Sequence, residues 1–147
     1  MGWRTDLEET LKERNWLVKK ECDDQILAST EVSCGEILFT IDFPQYALDG
    51  KLLSIHYDAK YYDKMADIPK SMLFGSLRYN ANHSAGSWVI RKDPKSEKYI
   101  YSFWARCFLN EDGSIDKTYL RNMMSSVNSA YFDFHEEFSI VETVGCS

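Results

Sequence analysis

Three histidines and four cysteines are the side chains of this 147-residue chain best suited to chemistry near neutral pH. His83 has the richest company, with Asn80, Asn82, Ser84 and Ser87 close by, a set that could seat a base or a metal ligand. No G-x-S-x-G elbow surrounds Ser84 or Ser87, there is no H-E-x-x-H, and no cysteine occupies a nucleophile motif, so His83 reads as a solvated loop histidine. His56 alternates with Ser54 on the face opposite Ile55, and His135 precedes Glu136 and Glu137 at a helix end. Neither makes a ligand pattern, and no metal site is expected. Asn110, Asp112, Ser114 and Asp116 alternate like calcium ligands, but Ile115 stands where that loop needs Gly and Arg121 where it needs Glu, which leaves a turn and a helix cap. Cys22, Cys34, Cys107 and Cys146 are widely spread without a C-x-x-C pair and read as reduced thiols. The seven glycines are dispersed and form neither phosphate-binding fingerprint, so no cofactor is expected and no catalytic residue is assigned.

Charge narrows the partners. A net charge of −6 and a pI near 5.1 repel polyphosphate, and Lys19-Lys20 and Arg91-Lys92 are too small for a phosphate footprint, so no nucleic acid is expected. The first residues lack the apolar core of a signal peptide, and no segment approaches the roughly 20 apolar residues that cross a bilayer. Gly2 is not followed by Ser or Thr at position 6, where Asp6 stands, so a myristoyl anchor is not indicated. The expected location is the cytoplasm, with no membrane partner.

These side chains must be held by one domain, since 147 residues with 44% hydrophobic content supply one core. Thr5-Asp6-Leu7-Glu8 reads as a capping box opening a helix to about Arg14, with Trp3, Leu7 and Leu11 on one face. Trp16 to Glu21 and Gln25 to Val32 suggest a hairpin. Ile37, Phe39, Ile41 and Phe43 alternate as a half-buried strand, and another is expected from Lys51 to Tyr57 after the Leu48-Asp49-Gly50 turn. A helix from about Pro69, capped by Asp67, is expected to bury Met72, Leu73, Leu77 and Phe74. Strands at Trp88 to Arg91 and Tyr99 to Leu109 form a second hairpin. A last helix from Lys117 to Phe134, capped by Asp116, carries Leu120, Met123, Val127, Ala130, Tyr131 and Phe134 inward.

Leu73 and Leu77 lead into Asn80, Gly86 and Trp88. A helix that ends in Asn, then a Gly, then a large aromatic opening a strand resembles the YbjN-like family of bacterial proteins, whose fold is shared with type III secretion chaperones. Residues 81–85 depart from it with a polar Asn-His-Ser run. The resemblance and the element order imply an α+β fold, a secretion-chaperone-like sandwich of three helices on an antiparallel sheet of about five to six strands, with a single domain core over about residues 5–142.

The strand near Tyr99 suggests where function lies. Tyr99, Tyr101, Phe103, Ala105 and Cys107 occupy one face, while Ile100, Trp104 and Phe108 occupy the other, and a two-layer domain needs only one apolar face. Ile100, Trp104 and Phe108, with Arg106 at the rim, are therefore the expected contact surface for a protein client, a regulatory partner or the second subunit of a homodimer. The opposing possibility is that the middle helix or a Tyr61-Tyr62 loop covers this row. By resemblance the domain is a non-enzymatic interaction module, chaperone-like or a sensory-transduction regulator. The alternative is a small-molecule binder or enzyme with a pocket near Tyr79, His83 and Trp88.

Overall fold

The computed structural model describes residues 2–32, 35–44, 50–82 and 86–138. Its elements run α1 Trp3–Glu13, β1 Leu17–Glu21, β2 Gln25–Val32, β3 Gly35–Asp42, β4 Leu52–Tyr62, α2 Lys70–Asn82, β5 Ser87–Lys92, β6 Tyr99–Phe108 and α3 Lys117–Asp133, with a π turn over Phe134–Phe138. The expected α+β architecture is present: six antiparallel strands in the order β1-β2-β3-β4-β6-β5, and three α-helices. His83, Ser84, Cys34, Cys146, Leu48, Asp49 and residues 139–142 of the expected core lie outside the described residues.

Register shows how the layers form. Ile26 pairs with Ile41, Ile41 with Ile55 and Ile55 with Ala105, while Tyr57 and Trp88 both pair with Phe103, so these side chains share one face of the sheet. All of them belong to a single buried cluster with Leu7 and Leu11 of α1, Met72 of α2, and Leu120, Met123, Met124, Val127 and Ala130 of α3. The three helices therefore cover the same face of the sheet. No described helix packs on the other.

Two helix starts differ in quality. Asp116 caps α3 as expected, accepting from the amides of Thr118 at 2.9 Å and Tyr119 at 3.2 Å. The Thr5 capping box does not form: α1 begins three residues earlier, after Gly2, so Thr5 already lies within its first turn. Asp6 instead accepts from the Ile115 amide at 3.1 Å and ties α1 to the approach of α3.

In α2 the buried side is set by Ile68 just before it, Met72 and Ser76, with Leu73 half-buried against the core as expected and Leu77 turned away from it. Leu77 is 67% exposed and Phe74 63% exposed, a correction to the expected face. The polar Ser76 hid the true periodicity. Its hydroxyl is satisfied by the Met72 carbonyl and by the Tyr101 hydroxyl, so a serine can occupy a core-facing position. Asp67 accepts from the Lys64 amide within its own short turn and does not cap α2.

Strand β4 runs five residues beyond the expected end at Tyr57. Its pairing with β6 shifts between Asp58 and Lys60, so Ala59 is an extra residue that breaks the alternation a sequence reading depends on. Tyr61 and Tyr62 are therefore strand, not loop. The sheet also has a weak seam. β3 and β4 share only Thr40–His56, Ile41–Ile55 and Asp42–Ser54, whereas β4 and β6 pair along their length.

Asn80, Gly86 and Trp88 prove to be one structural device. The Asn80 carboxamide donates to the Trp88 carbonyl at 3.0 Å and accepts from the Trp88 amide at 2.7 Å, as a neighbouring strand would. Asn80→Ala removes both bonds and leaves two partly buried backbone groups without them. The expected loss is about 2 kcal/mol of unfolding free energy by denaturant titration, and a loss below about 0.5 kcal/mol would show that water replaces the clasp.

Candidate functional site: the uncovered face of the sheet

The uncovered face is built from alternate residues of the central strands. β4 contributes Leu52, Ser54, His56 and Asp58; β6 contributes Ile100, Ser102, Trp104, Arg106 and Phe108; β5 adds Ser87, Val89 and Arg91; β3 adds Thr40 and Asp42. This is not the continuous apolar row expected from β6 alone, because Ser102 interrupts it and Asp58 lies directly across from that serine.

At its centre a histidine is held between two acids. His56 is 5% exposed, with Nδ1 3.0 Å from Asp58 Oδ1 and Nε2 3.3 Å from Asp42 Oδ2. Two carboxylate acceptors call for two N–H donors, which only the imidazolium supplies. Burial works against that charge, but hydrogen bonds to Asp42 and Asp58, and the charges of both, outweigh it and raise the His56 pKa. Burial likewise opposes ionisation of Asp58, yet bonding to His56 and Ser102 and the nearby Arg91 hold its carboxyl below the usual carboxylate value. Asp58 Oδ1 accepts from Ser102 Oγ at 2.6 Å, and Oδ2 accepts from the Arg91 guanidinium at 3.0 Å. Two cations and two anions thus balance around this point.

Trp104 lies on that cluster like a lid, its ring stacked on the His56 imidazole at 4.1 Å between centroids and 6° between planes. The Arg106 and Arg91 guanidinium groups stand 5.0 and 5.7 Å from the same indole ring. Its Nε1 is buried and has no hydrogen-bond partner among the described residues.

The arrangement does not activate a nucleophile. Ser102 is fully buried and donates to Asp58, whereas a catalytic serine must reach the solvent and donate to the histidine. An imidazolium bonded on both nitrogens has no lone pair to act as base. Among the described residues no group of three or more His, Cys, Asp or Glu side chains is placed to hold a metal. Asp112 turns to the Ser114 amide and hydroxyl and Asp116 to the start of α3, so the alternating acids before α3 form the expected turn and cap. Cys22 and Cys107 are free thiols, and burial pushes the Cys107 pKa up to about 12, which keeps it protonated and inert.

The four expected contact residues meet different fates. Ile100 is 1% exposed, hidden among its cross-strand neighbours Tyr61 and Arg91, and offers nothing to a partner. Trp104 is half-buried. Arg106 is exposed, and no described carboxylate pairs with it; Phe108 is 65% exposed. Arg106 lies between two clefts. One of about 430 Å³ is lined by Trp104, Leu52, Phe43, Ser54, Asp42 and Asp24; the other, of about 370 Å³, is lined by Phe108, Cys107, Ile115, Asp116 and Tyr119.

The pocket considered near Tyr79, His83 and Trp88 is different in kind. Tyr79 meets Trp88 and Phe103 edge-on, and Trp88 stacks on Tyr101 at 4.6 Å, so these rings fill the space between α2 and the sheet.

The fold is similar to that of YbjN from E. coli, described as a candidate transcription regulator, over 95% of this chain and 89% of that one, with a TM-score of 0.48 and 11% identity. It is a likeness of fold alone, to the family that Asn80, Gly86 and Trp88 resemble. No family model matches the chain, and no curated protein matches it significantly.

The charge cluster was missed by sequence reading, although Ser54, His56 and Asp58 stand at alternate positions. Period-two polarity ordinarily marks a solvated face. Its burial required Trp104 from a strand about fifty residues away, which no local pattern reveals.

Proposed function

We propose that this domain is a protein-interaction module, chaperone-like or regulatory in use, which docks a partner segment on the uncovered sheet face from Trp104 to Phe108. The observation that carries this is Arg106, paired with no described carboxylate, standing between the large exposed ring of Phe108 and the half-buried Trp104, on a face that no described helix covers. Aromatic rings supply wide contact at low conformational cost, and a solvent-facing guanidinium is suited to orient a carboxylate brought by a partner. Ile100 takes no part.

A photo-crosslinking side chain placed at position 108, with another at the equally exposed position 77 as control, records what covers the face. A protein adduct from 108 and not from 77 is expected. Equal capture from both positions would mean non-specific contact and would sink this reading. With the adduct identified, Arg106→Glu and Phe108→Asp are each expected to weaken that complex by tenfold or more, while changing folding stability by no more than about 0.5 kcal/mol. Sedimentation of the same variants tests whether the partner is a second copy: a homodimer held by this face dissociates in both.

A further inference from the structure

The uncovered face lies over the weakest join in the sheet, and the join is bridged by an ion pair. β1, β2 and β3 form one set of paired strands and β4, β6 and β5 another, joined through the three residue pairs of β3 and β4. His56 belongs to β4 and Asp42 to β3, so their 3.3 Å contact spans that join from the side no described helix covers. We propose that protonated His56 acts as a pH-dependent bolt across the β3–β4 seam, fastening the two halves of the sheet when charged and releasing the Asp42 side when neutral.

The geometry leaves little alternative use for the proton. Asp58 on the same strand and Asp42 on the neighbouring one face the two ring nitrogens; Arg91 of β5 neutralises the far oxygen of Asp58; Ser102 of β6 donates to Asp58 and cannot donate to Asp42. Arg106 of β6 stands over the Trp104 ring and shares the adjoining cleft with Asp42 and Asp24. A neutral imidazole has one N–H, so it can serve one of its two acids. Asp58 retains Ser102 and Arg91 in that state. Asp42 is the more exposed of the two carboxylates, 37% against 20%, and holds the longer contact, so water can replace its bond and it is the one released. Trp104, stacked on the same imidazole, senses the change directly.

The sign follows from the raised His56 pKa. The bolt is complete below the ordinary histidine value of about 6.5 and is lost as pH climbs through the higher folded midpoint. This inference does not depend on the partner proposed above.

Amide hydrogen exchange at residues 40–42 and 54–56, corrected for intrinsic rate, provides the test. Between pH 6 and pH 8.5 the opening of the wild-type seam is expected to rise several-fold, up to about tenfold for each unit by which the folded midpoint exceeds the unfolded one. Exchange at the β5–β6 pairs should stay constant. His56→Gln should exchange at the fast, high-pH rate throughout. Asp42→Asn, which keeps the histidine and its bond to Asp58, should lose most of the pH dependence at the seam while the His56 ring still titrates by NMR. A seam whose corrected exchange is unchanged from pH 6 to pH 8.5, or changes to the same extent in both variants, overturns the proposal.

Discussion

Gly86→Ala is expected to cost the domain about 2–3 kcal/mol, because the position leaves no room for a methyl group. A Cβ built there would lie 2.6 Å from two atoms of the Phe103 ring and 2.8 Å from the Trp104 carbonyl oxygen. Neither obstacle yields easily. Phe103 is fully buried and held edge-on by Tyr79 and Trp88, while the carbonyl belongs to the backbone of β6. Relief requires β5 to move away from β6 or Phe103 to leave its rotamer, and both disturb the ring stack around Trp88. Chemical denaturation measures the loss from the shift in midpoint at constant slope. A variant as stable as wild type would mean that β5 enters the sheet by a different path.

Asp58→Ala is the second large effect. Three donors converge on this carboxylate: an imidazolium that is nearly buried, a hydroxyl that is wholly buried and a partly exposed guanidinium. Removing the acceptor strands all three, and the expected cost is about 3 kcal/mol, at the low end for a broken buried pair because Asp58 keeps some contact with water. At roughly 3 °C per kcal/mol the Tm falls by about 10 °C. Ser102→Ala removes one donor and leaves the ions paired, so it should cost about 1 kcal/mol. The His56 pKa is also expected to drop in Asp58→Ala, since one of the two acids that raise it is gone. Thermal melts of the two variants at pH 6 decide the matter. Equal losses would show that the charges contribute no more than a single hydroxyl bond.

Periodicity made the framework legible. Ile37, Phe39 and Ile41 in β3, and Leu120, Met123 and Val127 in α3, each sit on one side of a regular element, and their neighbours were placed correctly from spacing alone. Where a polar residue satisfies itself inside, spacing misleads. Ser76 shifted the apparent face of α2, and the extra Ala59 ended β4 too soon. The candidate site was half legible. Phe108 and Arg106 are on the surface as alternation implied, but alternation cannot register a neighbour across the sheet, and such neighbours bury Ile100 and place His56 beneath Trp104. Asn80, Gly86 and Trp88 were noticed as a motif of resemblance. Their shared purpose is mechanical, a helix end gripping the first turn of a strand.

That grip has a consequence at the border of the sheet. The outermost strand of a sheet offers free amides and carbonyls that invite a foreign strand to add itself, the first step toward fibrous stacking. Here the outward hydrogen-bonding groups of Trp88 are already occupied by a side chain from the same molecule. A stranger pairing at the start of this strand must first displace Asn80, so that stretch of the flank is guarded against accretion while the broad face remains open to company.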